Sequence, residues 1–229
     1  MGALIVKRAF IFDVFGTCVD WRASVAREVA RHLPEVDALA FADAWRGEYQ
    51  PAMERIRTGG RGYVALDQLH AENLQIVSER FGVRSPDPDA LNRAWEKLDP
   101  WADVVGGLAA LRQKGLIATC SNGSIGLMSR LARYGALPWD AILGADIARD
   151  YKPKASVYLG SCTALGLQPS DVMMVAAHND DLAAARASGL KTAFVARPTE
   201  HGSGQTTDLE PAGDWDIVAR DFHHLADLA

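Results

Sequence analysis

The sequence predicts an α/β fold, a parallel sheet with helices on both faces, interrupted early by a helical insertion. Three observations carry that expectation. Short apolar runs end three times in polar clusters, and a helical pattern follows each one. Residues 20–98 hold four amphipathic patterns and no strand-like run. The chain's 229 residues, 48% hydrophobic and 23% charged, exclude a disordered or fibrous protein and suit one large domain or two small ones.

Taken in order, residues 9–15, AFIFDVF, read as a buried strand broken by one Asp and stopped at Gly16-Thr17. In the insertion, Val25, Val29 and Leu33 share a helical face, residues 45–56 and 66–81 give two longer helices, and Leu91, Trp95 and Leu98 mark the last. Breaks fall at Pro34, at 58–62, at 85–88 and at Asp99-Pro100. Val104, Leu108 and Leu111 then mark a helix, and residues 116–120 a second strand leading into Ser121-Asn122-Gly123. Leu127, Met128 and Leu131 follow on a helix. Lys152-Pro153 opens another, with Pro at the first helical position. A third strand over 172–177 runs into His178-Asn179-Asp180-Asp181, and the helix over 182–188 closes at Gly189. The Gly-, Thr- and Ser-rich tract 198–213 reads as a loop, 215–219 as an edge strand, and a short helix ends the chain.

Charge narrows the function. Against 24 Lys plus Arg stand 29 Asp plus Glu, a net charge of -5 with a pI near 5.7, and no basic stripe. Nucleic acid and anionic membrane surfaces are therefore not expected partners, whereas a small anionic substrate needs only a local positive site. No run reaches the ~20 apolar residues of a membrane span. The opening MGALIVKRAFIFDVFG lacks a signal peptide's order, being interrupted by Lys7 and Arg8, and Val6 stands where a myristoylation signal needs Ser or Thr. Cys18, Cys120 and Cys162, odd in number and set in apolar stretches, read as buried thiols of a reducing cytosol. A cytoplasmic protein is expected.

In parallel sheets ligands sit outside the carboxyl ends of the strands, where these polar clusters fall. Asp13 there is either a turn cap or a nucleophilic carboxylate able to form an ester. Thr17 either donates to Asp13 or bonds the turn backbone. Ser121-Asn122-Gly123 is an anion site at a helix N-terminus or an ordinary cap. A lysine at a helix start opposes the dipole, so Lys152 either pairs with an anion or is simply solvated. His178 and Asp181, three apart after a buried strand, could hold and deprotonate water.

FDVFGT at 12–17, SNG at 121–123, YKPKASVY at 151–158 and VAAHNDDLAAARASG at 175–189 together resemble the haloacid dehalogenase superfamily, and within it the L-2-haloacid dehalogenases. The resemblance spans nearly the whole chain. It implies a Rossmann-like core over 1–18 and 99–229 with a helical cap domain over 19–98. Phosphatases of the superfamily carry a second Asp two positions after the nucleophile, where this chain has Phe15, and an acid where it has Ala177. A departing halide is a stable anion that needs no proton, so a general acid at that position would have no task. No metal and no other cofactor is implied, although Asp181 keeps an acidic position and Asp180 stands beside it.

The implied mechanism is displacement of halide from C2 by Asp13 with inversion, then hydrolysis of the aspartyl ester, turning (S)-2-haloacids into (R)-2-hydroxyacids. Arg46, in WRGEY, matches the family's halide-binding arginine, with Asn122 assisting. Ser121 and backbone N–H groups near Val14 and Phe15 would hold the substrate carboxylate. Lys152 would keep Asp13 ionised, and Tyr158 would either hydrogen-bond in the site or pack in the core. Trp45 and Tyr49 would form an apolar wall or serve packing. Several dehalogenases have Ser and Asn where this chain has Ala176 and His178, which makes His178 and Asp181 the expected water-activating pair. A homodimer is compatible with the resemblance. The alternatives are a magnesium-dependent phosphatase or phosphonate hydrolase, and a catalytically silent carboxylate-binding protein.

Overall fold

A computed structural model of the chain describes residues 8–229. The expectations about an absent leader or myristoylation signal fall on the segment before residue 8 and lie outside the described residues. Strand β1, Ala9–Phe12, is followed by β2, Val19–Asp20, and then by the insertion: α1 Trp21–His32, α2 Ala38–Gly47, α3 Tyr49–Gly59, α4 Leu66–Arg80, α5 Pro88–Asn92 and a 3₁₀ turn Arg93–Glu96. The chain returns through β3, Asp99–Pro100, and continues with α6 Val104–Arg112, β4 Leu116–Thr119, α7 Ile125–Tyr134, α8 Ala145–Ala148 and α9 Ala155–Leu165. Last come β5 Val172–Ala176, α10 Asn179–Ala187, β6 Lys191–Val195, β7 Ile217–Ala219 and α11 Phe222–Leu228.

The five-stranded sheet runs β4-β1-β5-β6-β7, with every neighbouring pair parallel. β1 is wholly buried because its apolar run serves both faces of the sheet. Phe10 and Phe12 join one core with α6, α11 and the insertion, while Ala9 and Ile11 join a second core with Val157, Met174 and Leu182, as the two-residue period of a strand requires. From β1 the chain moves outward to β4 and then back across β1 to β5. That reversal opens a crevice at the carboxyl ends of β1, β4 and β5.

The insertion leaves and rejoins through one neck, where β2 and β3 pair antiparallel, Val19 with Pro100 and Asp20 with Asp99. Farther out it is fastened to the sheet-bearing part at residues 57–64. The Arg57 guanidinium donates to the carbonyl of Lys152 (2.8 Å), Tyr63 donates to Asp146 (2.5 Å), and the Tyr151 hydroxyl donates to the carbonyl of Val64 (2.5 Å).

Several expectations change. The first strand ends at Phe12 instead of residue 15, because Gly16 turns the chain at φ +85°. The helix expected over 45–56 is two helices: at Glu48 the N–H reaches back only to Trp45 (3.3 Å), a tightened 3₁₀-type turn that closes α2 and re-aims the apolar stripe of α3. Lys152-Pro153 lies in the turn before α9 and does not begin the helix, since the N–H of Lys152 is held by the Asn122 side chain (2.7 Å) and helical bonding starts at Ala155. β6 and α8 were not anticipated. The edge strand, reduced to Ile217–Ala219, and the final helix stand where expected. Among the described residues no helix is long and apolar enough to cross a membrane.

Candidate active site

Asp13 is the first residue past β1, and its N–H still follows the sheet, donating to the carbonyl of Val175 (3.0 Å). Its carboxylate therefore projects from the sheet's mouth. Oδ1 accepts from the Lys152 ammonium at 2.8 Å, while Oδ2 accepts from the Thr17 hydroxyl at 2.7 Å and lies 3.2 Å from Nδ1 of His178. Thr17 thus donates to Asp13 and does not bond its own turn; its hydroxyl oxygen accepts instead the N–H of Ala177 at the end of β5 (2.9 Å). Lys152 bridges onward to Asp181 (2.5 Å), whose other oxygen accepts from the Tyr158 hydroxyl (2.5 Å). Asp13, Lys152 and Asp181 are 6%, 8% and 8% exposed, so these charges interact with little screening by water.

Burial alone would raise the Asp13 carboxyl, but the Lys152 ammonium and His178 hold it far below the usual carboxylate range. Lys152 resists its own desolvation because Asp13 and Asp181 face it, and its ammonium is held well above the usual range. Asp181 moves the other way, raised by burial with the Asp13 charge adding to it. Asp13 is thus an ionised carboxylate with a shielded flank, as a nucleophile requires.

His178 does not pair with Asp181, as the sequence suggested, but with Glu200. Nε2 of His178 lies 2.9 Å from Oε2 of Glu200, and the Trp21 indole donates to the other carboxylate oxygen at 2.9 Å. The physical reason is direction: on α10 Asp181 turns towards Lys152 and Tyr158, leaving the far side of the imidazole to the loop beyond β6. Burial would lower His178, yet the two carboxylates raise it well above 6.5. Glu200 had no sequence signal, lying in the tract read as a loop. Only Gly16 hints at it, since a Cβ there would sit 2.0 Å from Oε1 of Glu200.

Above these groups lies a cavity of about 200 Å³, closed on the insertion side by Arg46, Tyr49 and Gln50 and elsewhere by Phe15, Asn122, Lys152 and His178 among others. The Arg46 guanidinium stacks 4.0 Å above the Tyr49 ring centroid, and its buried Nη1 has no hydrogen-bond partner among the described residues. A permanent cation with a free donor in such a cavity can seat an anion. Asn122 fixes Lys152 through its carbonyl oxygen, and its amide nitrogen meets only the soft sulfur of Met53 (3.3 Å). Phe15 packs edge-on against Trp95 (5.9 Å). Trp45 is wholly buried and serves packing, while Tyr49 reaches the cavity. Val14 and Ser121 are wholly buried and adjoin in the chain the lining residues Asp13, Phe15 and Asn122; the Ser121 hydroxyl accepts from the N–H of Gly123 (3.1 Å), which leaves its own proton free to donate.

The donor set does not fit the magnesium of the superfamily's phosphatases. Among the described residues no group of three or more His, Cys, Asp and Glu is arranged to hold a metal ion. The apolar Ala177 occupies a position where the superfamily's phosphatases have an acid, and an ammonium already bridges Asp13 and Asp181.

A family model described as haloacid dehalogenase-like hydrolase matches residues 7–189. The chain is 31% identical over 197 residues to (S)-2-haloacid dehalogenase 1 of Pseudomonas sp. (strain CBS-3), covering 83% of this chain and 85% of that protein. Its structure is similar to that of a defluorinating L-2-haloacid dehalogenase, with a TM-score of 0.93, 49% identity, and 97% of this chain and 94% of the other covered. It is equally similar to a second L-2-haloacid dehalogenase, with a TM-score of 0.93, 43% identity, and 97% and 98% covered.

Proposed function

The chain belongs to the haloacid dehalogenase-like hydrolase family, and on that footing we propose that it hydrolyses short (S)-2-haloacids to (R)-2-hydroxyacids and halide. It is a hydrolase of carbon–halide bonds. The observation that carries the reading is the facing pair in one small cavity: Asp13, kept ionised by Lys152, and the unpartnered guanidinium of Arg46.

Asp13 attacks C2 opposite the halogen, the carbon–halogen bond breaks, and halide leaves towards Arg46 and Asn122. The L form is the expected substrate by likeness to the L-2-haloacid dehalogenases. Ser121, with the backbone at Val14 and Phe15, takes the substrate carboxylate. Water, deprotonated by His178, then adds to Cγ of the ester, and the 2-hydroxyacid departs carrying the oxygen that Asp13 delivered. Thr17 steadies the nucleophile, while Asp181 and Tyr158 hold Lys152 in place. Residues 1–18 and 99–229 act as core and 19–98 as cap, a division supported by the β2–β3 neck. The protein works in the cytoplasm, where its three buried thiols stay reduced, and a homodimer is its proposed assembly.

The test is halide release from the L and D forms of 2-chloropropionate in EDTA, with an aryl phosphate plus magnesium run in parallel. Release from the L form alone, unaffected by EDTA, is expected. Phosphate release that requires magnesium, without halide, would overturn the reading. The 2-fluoro acid belongs in the same series, given the defluorinating relative.

A further inference from the structure

His178 is clamped between two carboxylates from different parts of the chain, with Nδ1 3.2 Å from Asp13 and Nε2 2.9 Å from Glu200. Only the first of these carboxylates is consumed in the reaction. We propose that Glu200 is a positioning residue that holds His178 as the base for hydrolysis of the aspartyl ester, and that ester formation at Asp13 itself switches His178 from imidazolium to base. This inference rests on the dehalogenase reading above and deepens it.

In the free enzyme the imidazole has an anion at each nitrogen and stays protonated. Esterification turns Asp13 into a neutral group, so the charge facing Nδ1 disappears while Glu200 remains. One anion is then left to hold a proton at Nε2, and Nδ1 is released facing the ester. Groups such as Glu200 fix the tautomer and orientation of a catalytic imidazole and stabilise the imidazolium when it re-forms. Glu200 is suited to that role. It is 2% exposed, fixed by the Trp21 indole, and given room by the missing side chain of Gly16.

Other charges around His178 leave this logic intact. Lys152 sits behind Asp13 and is divided between Asp13 and Asp181. His201 stands 3.6 Å from Glu200, and Arg46 acts on the same carboxylate from α2. Asp180 and Asp208 line the outer cavity and are present before and after esterification alike.

The proton balance follows. The imidazolium loses its proton to solvent as halide leaves. Water then gives one proton to Nδ1 and its hydroxide to Cγ; the ester C–O bond breaks, and the departing alkoxide takes the proton from His178. The carboxylic acid left at Asp13 returns its proton to His178, restoring the starting state. Each turnover thus releases one halide and one proton, and both appear in the first half-reaction.

The experiment is rapid mixing of enzyme with L-2-chloropropionate in weak buffer, following halide, protons and the protein mass together. In the wild type a burst of protons should accompany the halide burst, before hydroxyacid appears. Protons that appear only with hydroxyacid would overturn the switch. Glu200→Gln, isosteric and still able to accept a hydrogen bond, should keep the halide burst, accumulate ester by mass, and lose about 10²–10⁴ in steady-state rate. Its limiting limb should also move to lower pH, because an imidazolium without its anion loses the proton more easily. Glu200→Asp should restore part of the rate. A Glu200→Gln enzyme with wild-type steady state and pH profile, or one whose burst falls in step with turnover, would overturn the role of Glu200. If Glu200→Gln does not fold, the wild-type proton burst still decides. Absence of any halide from wild type would instead overturn the dehalogenase reading, a distinguishable failure.

Discussion

Replacing Lys152 by Met keeps the length of the side chain and removes the ammonium that bridges Asp13 at 2.8 Å and Asp181 at 2.5 Å. At these separations each attraction is about 6 kcal/mol at an effective dielectric of 20, before the cost of desolvating three ions is deducted. Deleting one partner of such a buried arrangement typically costs about 3–5 kcal/mol, because the remaining charges are left uncompensated. For a chain of this length that loss corresponds to a fall of roughly 6–20 °C in Tm, measurable by calorimetry. The activity signature is separate and has a definite sign. Burial would raise Asp13, and Lys152 is the first of the groups that hold it down. Without the ammonium the carboxyl rises, so the acid limb of the first halide release should move up by about 1–3 pH units and activity should recover as pH increases. The stabilisation from the depressed Asp13 is present above the ordinary carboxylate range and is lost as pH falls towards the depressed value, so the Tm difference between the two proteins should shrink in acid. A Lys152→Met protein with wild-type Tm and an unmoved acid limb would refute the assignment of Lys152 as the group that keeps the nucleophile charged.

Three further outcomes are expected. Arg46→Lys keeps the charge but gives up the planar stack on Tyr49, a loss of about 1–2 kcal/mol, so kcat/KM for halide release should fall about 5- to 30-fold; unchanged kinetics would remove Arg46 from the anion seat. Gly16→Ala forces a side chain into a φ of +85° at about 1–2 kcal/mol and drives its Cβ into Glu200, so Tm should drop by roughly 2–8 °C and ester hydrolysis should slow more than the halide burst; a neutral substitution would contradict the packing described. Asp103, which burial would raise, is held below the usual carboxylate range by hydrogen bonds from Arg197, 2.9 and 2.8 Å to its two oxygens. Asp103→Asn should therefore cost about 1.5–3 kcal/mol at neutral pH and progressively less as pH falls below the ordinary carboxylate value of ~4 towards the depressed one, read from Tm against pH.

What the sequence revealed follows from which signals are local. The strands β1, β4 and β5 are continuous apolar runs ending in polar clusters, and such runs announce both the element and the site at its end. β6, KTAFV, has the same character, but its charged first residue and the loop tract behind it masked a five-residue strand. Asp13, Lys152, His178 and Asp181 were legible as residues with a chemical capacity, and Arg46 through the resemblance. Their pairing was not. Asp181 is three residues from His178 and turns to Lys152, while Glu200 is far along the chain and lies against the imidazole. Which carboxylate serves which base is decided by the rotation of α10 and the course of the loop after β6, neither of which a residue pattern encodes. The boundary at Glu48 was hidden for a similar reason, since α2 and α3 carry apolar stripes that run on in sequence and part only in direction.

The fastening at residues 57–64 has a mechanical consequence. Arg57, on the helix that begins at Tyr49, holds the carbonyl of the residue whose ammonium grips Asp13. The peptide carbonyl and the ammonium of one residue thus take hold of different parts of the molecule, the first of the helical insertion and the second of the acid past β1. The insertion and the charge balance of Asp13 are thereby joined through a single backbone position.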